Sequence, residues 1–196
     1  MRKINVIAMA GFGKRFINEN FKIPKPLIVI KNKPMFYYAA KSLPPSEKNI
    51  FICNKKTVYN SKFKYYLKKF FRKSKVLQIK KKTNGQATTC KIASRYINYN
   101  DIITYGSCDF SYNFDIKKFN LLIKSNDLIL FVHKPKIQNI INFKEYGWVK
   151  KEKNNSVKTI KCKNKVSKNP ENDYIITGSF TFKNKKIFHH CYNEMI

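Results

Sequence analysis

The chain has 196 residues, 43% apolar and 15% aromatic, which suits one domain with a substantial core and argues against disorder. Its 41 Lys and Arg against 11 Asp and Glu give a formal net charge of +30. The lysines are spread along the whole chain among Asn, Ile, Tyr and Phe, as a compositional bias produces, so the charge does not by itself specify a nucleic-acid partner.

In chain order, the apolar run Ile4 to Ala10 predicts a buried strand, and the Gly-rich turn AGFGKRF (Ala10 to Phe16) follows at once. A loop with Pro24 and Pro26 around Lys25 leads to a short strand at Leu27 to Ile30. Pro34 opens a helix, PMFYYAAKSL, which the Pro44-Pro45 pair stops. Asn49 to Cys53 (NIFIC) predicts a second buried strand. Phe63, Leu67, Phe70 and Phe71 recur at helical spacing and predict one helix over Thr57 to Lys73. A strand at Lys75 to Ile79, the loop KKTNGQATT and a helix from Ala87 to Asn98 come next. The strand DIITY (Asp101 to Tyr105) ends at Gly106-Ser107-Cys108-Asp109, and a helix at Phe114 to Ser125 and a strand at Asp127 to His133 follow. The remainder changes character: Trp148 to Lys151, Val157 to Cys162 and Tyr174 to Phe182 read as strands between polar turns.

Alternating strands and helices imply an α/β fold, a mostly parallel doubly wound sheet with a small antiparallel extension in the C-terminal part. No apolar run approaches the roughly 18 residues that span a bilayer, and no leader pattern follows Met1, so a cytoplasmic location without membrane insertion is expected. The five cysteines, 53, 90, 108, 162 and 191, show no CxxC spacing; a disulfide framework or zinc site is not expected, and Cys53, Cys90 and Cys108 read as small buried apolar residues.

Ligands of doubly wound sheets bind at the carboxyl ends of the strands. Three features fall there. In AGFGKRF, Gly11 and Gly13 let the backbone approach a phosphate, and Lys14 and Arg15 add charge, although a bare tight turn would read the same way. It is neither a P-loop nor a dinucleotide fingerprint. Lys25 stands on a backbone stiffened by two prolines; the alternative is a solvated lysine in a rigid loop. Asp109 follows a strand in a chain with few acids and could hold Mg²⁺ against substrate phosphates, or simply cap a turn.

The segment AGFGKRFINENFKIPKPLIVIKNKPM resembles the signature of the sugar-phosphate nucleotidyltransferase family: a Gly-x-Gly-x-Arg loop, then Pro-Lys-Pro, then an Asn-Lys-Pro turn. The likeness is closest to the branch associated with capsule and surface polysaccharide genes. It continues through NGQATT (84–89), SCDF (107–110), EYGWVK (145–150), IKCKNKVS (160–167) and TGSFTF (177–182), over nearly the whole chain. The resemblance implies a GT-A-like, Rossmann-related fold forming a single domain over 1–196, short at its C-terminal end relative to the family.

It also implies transfer of NMP from a nucleoside triphosphate to a sugar 1-phosphate or similar phosphorylated acceptor, with release of pyrophosphate and Mg²⁺ as cofactor. Ala10, Gly11, Gly13, Lys14, Arg15 and Gly85 would bind the nucleotide, Gly85 lying near the base. Arg15, Lys25 and Asp109 would carry the catalysis, Asp109 as metal ligand. Lys163 and Gly178 would bind the acceptor. The attacking phosphate oxygen is already an anion, so no general base is required, and His133, His189 and His190 fall outside the motifs. The sequence departs from the family in three places: Cys162 replaces the Glu before Lys163, Lys80 replaces a common Gln, and the region that usually supplies a second acidic metal ligand is missing. Other readings are a truncated or degenerate member that binds nucleotide without turnover, a GT-A glycosyltransferase and a basic nucleic-acid-binding module. The glycosyltransferase would need an Asp-x-Asp pair where Asp109-Phe110-Ser111 stands. Base, acceptor and oligomeric state stay open, a homo-oligomer being allowed.

Overall fold

The computed structural model of the chain describes residues 1–11, 13, 16 and 23–196. They divide into two compact units, Met1–Ile129 with Phe180–Ile196, and Leu130–Ser179. In chain order the elements are β1 (Lys3–Met9), β2 (Val29–Ile30), β3 (Lys33–Pro34), α1 (Met35–Lys41), β4 (Lys48–Asn54), α2 (Lys55–Val58), α3 (Ser61–Phe70), β5 (Ser74–Ile79), α4 (Gln86–Lys91), β6 (Ile102–Ser107) and α5 (Ile116–Ser125). Then come β7 (Leu128–His133), α6 (Ile137–Ile141), β8 (Gly147–Lys151), β9 (Val157–Cys162), β10 (Tyr174–Phe182) and α7 (Lys185–Met195).

In the first unit β1 lies between β4 and β6, both parallel to it, and β5 runs parallel outside β4. The last residues of β10 pair antiparallel with β6, Phe180 opposite Tyr105 and Phe182 opposite Ile103. A central parallel strand is covered on both faces and must be apolar on both. Alternate residues of β1 and β4 accordingly serve two cores. Ile4, Val6, Ile50 and Ile52 pack with Cys90 of α4 and Phe188 of α7. Ile7, Met9, Phe51 and Cys53 pack with Phe36 of α1 and Phe63 of α3. The second core is mostly aromatic: the Phe36 ring stands edge-on to Phe51 at 5.7 Å and to Phe63 at 5.4 Å. This is the expected doubly wound α/β arrangement.

The second unit is antiparallel. β8 pairs with the first residues of β10, Tyr174 opposite Val149, and with β9, Trp148 opposite Lys161. Trp148 is fully buried, and its indole N–H donates to the Phe143 carbonyl at 3.0 Å. No helix among the described residues is long and apolar enough to cross a membrane.

Several boundaries differ from expectation. The single helix over Thr57 to Lys73 is two, because Asn60 interrupts it: its side chain accepts from the Lys62 and Phe63 amides and starts α3 afresh. The strand over Leu27 to Ile30 loses Leu27 to a 3₁₀ turn, Lys25–Leu27. The helix over Ala87 to Asn98 tightens after Lys91 into a 3₁₀ turn, Ile92–Tyr96. The helix α7 had no counterpart in the sequence reading; Asn184 caps it by accepting from the Ile187 amide at 3.0 Å. Cys53, Cys90 and Cys108 are buried free thiols, as expected, and Cys162 and Cys191 are exposed.

Candidate active site

At the carboxyl ends of β1 and β6, within the first unit, lies a cleft of about 460 Å³. Four separate segments line it: Ala8 to Gly11 with Gly13, Lys25 with Pro26, Lys82 to Thr89, and Ser107 to Asp109. The predicted residues Ala10, Gly11, Gly13, Lys25, Gly85 and Asp109 therefore meet around one space. Lys14 and Arg15 lie outside the described residues. Lys163 and Gly178 belong to the second unit, Lys163 directly after β9, with its amide donating to the Tyr146 carbonyl at 2.9 Å, and Gly178 within β10.

Lys25 opens the 3₁₀ turn, whose Pro26 and Leu27 are buried, so the backbone beneath it is anchored. Its ammonium forms an ion pair with the Asp109 carboxylate and lies over the Phe16 ring, 5.1 Å from the centroid. Gly13 adopts φ +59°, and a Cβ there would meet the Lys25 Cβ at 3.4 Å; the glycine serves both backbone and fit. Asp109 and Lys25, 84 residues apart in sequence, are thus direct partners.

The segment over the cleft is held differently. Gly85 has φ +95° and ψ 179°, a region open almost only to glycine. Its carbonyl accepts from the Thr89 amide at 3.2 Å and the Thr89 hydroxyl at 3.0 Å. A Cβ at Gly85 would meet nothing within 4 Å in the protein, so the backbone alone demands glycine there. Gly85→Ala is expected to cost about 1–3 kcal/mol, read as a lower urea midpoint at unchanged m. An unchanged midpoint would mean that the loop relaxes at no cost.

Cys108 also lines the cleft, but burial, helped by the Asp109 charge and opposed by Lys25, pushes its thiol up to about 12. It stays protonated at neutral pH and is no nucleophile. The Ser107 hydroxyl is buried at the cleft wall with no hydrogen-bond partner among the described residues. No histidine lines the cleft among those residues.

Sequence reasoning missed Asn54. It stands at the carboxyl end of β4 directly after the NIFIC run, the same placement that singled out Asp109. Its amide nitrogen donates to the Gly11 carbonyl at 3.2 Å, and its oxygen accepts from the Thr57 amide at 2.9 Å, capping α2. One side chain thus ties the Gly-rich turn to the neighbouring strand. Asn54→Ala should lose about 1 kcal/mol with the cap, whereas Asn54→Asp keeps the cap but sets a carboxylate oxygen against the Gly11 carbonyl in place of the tether. Both variants should bind nucleotide several-fold more weakly, the worth of one hydrogen bond, by equilibrium titration. Wild-type affinity in both would remove Asn54 from the site.

The model of the family described as Nucleotidyl transferase matches residues 4–194. The chain belongs to the nucleotidyl transferase family. Nucleotidyl transfer joins the NMP part of a triphosphate to an acceptor, and the cleft belongs to an enzyme of that class. Solved structures share the fold. The nucleoside-diphosphate-sugar pyrophosphorylase from Vibrio cholerae RC9 is 23% identical, with TM-score 0.75 over 97% of this chain and 78% of that one. The inositol-1-phosphate CTP transferase from T. maritima is 18% identical, with TM-score 0.71 over 96% and 73%. HddC from Yersinia pseudotuberculosis, solved with GMP-PN, is 23% identical, with TM-score 0.66 over 96% and 79%. Comparison with curated protein sequences gives no match.

Proposed function

We propose that this nucleotidyl transferase moves NMP from a nucleoside triphosphate to a sugar 1-phosphate or a similarly small phosphorylated acceptor, giving an NDP-sugar and pyrophosphate, in surface-polysaccharide synthesis. The observation that carries the reading is the meeting of the Gly-rich turn, Lys25 and Asp109 around one cleft at the strand ends. A pocket with Gly11 and Gly13, an anchored cation and, among the described residues, one carboxylate suits a polyphosphate accompanied by a divalent metal.

Among the described residues no group of three or more His, Cys, Asp or Glu could enclose a metal alone. The lone carboxylate Asp109 nevertheless fits Mg²⁺, which commonly takes one or two carboxylates and completes its shell with substrate phosphates and water. Bound there, Mg²⁺ would neutralise charge on the triphosphate. The chain's own residues do the rest. Gly11 and Gly13 bring main-chain amides toward the phosphates, and the charges of Lys14 and Arg15 assist in binding them. Lys25 holds the α-phosphate oxygen, where negative charge grows as the acceptor oxygen attacks. Gly85 leaves room for the base. Lys163 and Gly178 receive the acceptor. The acceptor's phosphate oxygen forms the new bond to the α-phosphorus, the bond to the bridging oxygen breaks, and pyrophosphate leaves with that electron pair. Catalysis comes from positioning and charge neutralisation.

The test is pyrophosphate release with Mg²⁺, each of ATP, CTP, GTP, UTP and dTTP being offered with sugar 1-phosphates and phosphocholine. Release that requires one nucleotide and one acceptor is expected. Nucleotide binding with silence across the panel would favour a member that binds without turnover.

A further inference from the structure

The two charges that the proposed reaction needs are paired with each other. The Lys25 ammonium sits on the Asp109 carboxylate, and the side chains are only 26% and 37% exposed, so solvent screens the pair incompletely. Among the described residues Asp109 is the one carboxylate lining the cleft. The Lys25 backbone is anchored by the buried Pro26 and Leu27, a side chain at Gly13 would meet its Cβ, and Phe16 lies under its ammonium. The ammonium can therefore leave Asp109 by rotating its stem, not by a shift of the loop.

We propose that Lys25 is a place-holder cation for Asp109, and that a divalent metal enters this cleft readily only together with a polyphosphate that takes Lys25 in exchange. The inference rests on the functional reading above, in which Asp109 receives the metal and Lys25 a phosphate. A metal arriving alone must displace the ammonium or share one carboxylate with it, and the two cations repel. A polyphosphate arriving alone takes the ammonium and leaves an unpaired carboxylate facing its own negative charge. Arriving together, the two replace one ion pair by two. Each therefore strengthens the binding of the other, and by thermodynamic necessity equally.

The experiment measures Mn²⁺ alone, by electron paramagnetic resonance of the free ion, with no nucleotide and at fixed ionic strength. Lys25→Met keeps the aliphatic stem over Gly13 and removes the charge. It should bind Mn²⁺ about five-fold more tightly than the wild type, the upper worth of a partly exposed ion pair. Lys25→Arg, which restores the cation, should return to wild-type affinity, and Asp109→Asn should abolish the binding in every background. A gain of affinity on losing a lysine is not something a misfolded variant produces. Lys25→Met binding Mn²⁺ no more tightly, while Asp109→Asn still abolishes binding, overturns the place-holder and leaves the functional reading standing. Mn²⁺ binding that ignores Asp109→Asn also overturns it. Pyrophosphate release that survives loss of the Asp109 carboxylate overturns the metal-ligand role of Asp109 and the place-holder together, whereas silence across the nucleotide and acceptor panel overturns the functional reading.

Discussion

Asp109→Ala is expected to lower pyrophosphate release by at least about a hundred-fold, the usual cost of removing a group aimed at transition-state charge. The same change should move the melting temperature by only a few degrees. Its one ion pair among the described residues, with Lys25, is more than a third exposed on the Asp109 side, and such pairs contribute about 1 kcal/mol or less. Separating the two readouts matters, because a variant that lost activity by unfolding would say nothing about chemistry. Asp109→Asn keeps the size and removes the charge, and it should be as inactive as the alanine variant. Either variant retaining more than a tenth of the wild-type rate would sink the metal-ligand role.

The largest stability loss is expected at Phe36. This ring is completely buried and meets Phe51, Phe63, Tyr66 and Phe71. Phe36→Ala removes the centre of that cluster, and the edge-on rings around it cannot all move inward. A loss of about 3–5 kcal/mol follows, a fifth or more of the roughly 5–15 kcal/mol that holds a domain folded. Guanidinium unfolding should show a lower midpoint with an unchanged slope. Phe36→Leu, which refills most of the volume, should recover more than half of the loss. A loss below 1 kcal/mol in the alanine variant would mean that the cluster collapses around the gap.

The parts of the fold legible in the sequence were those written as apolar runs. NIFIC is buried in β4 because a parallel strand covered on both faces needs no polar alternation. Val157–Cys162 and Tyr174–Phe182 are not apolar runs, but the polar turns that bound them gave their strands end to end. The break at Asn60 was not legible, because helical spacing on either side of a cap continues as if nothing intervened. Within the site, the meeting of Ala10, Gly11, Gly13, Lys25, Gly85 and Asp109 was foreseeable from their placement after strands and from family resemblance. The Lys25–Asp109 contact was not, since nothing local in sequence relates residues that distant. Asn54 escaped for a different reason. An asparagine after a strand and before a helix reads as an ordinary cap, and its second hydrogen bond, to Gly11, exists only in three dimensions.

The antiparallel partner of β6 and the helix α7 come from residues 180–196, beyond the whole of the second unit. Phe182 and Phe188 complete the packing around Tyr105, at centroid distances of 5.8 Å and 4.5 Å. On the ribosome, then, β1, β4, β5 and β6 emerge with one flank of Tyr105 bare. They wait while Leu130–Ser179 is translated at about 5–20 residues per second, an interval of seconds. During that wait the nascent chain offers an open sheet edge and an uncovered aromatic surface, and this is when a chaperone has most to bind.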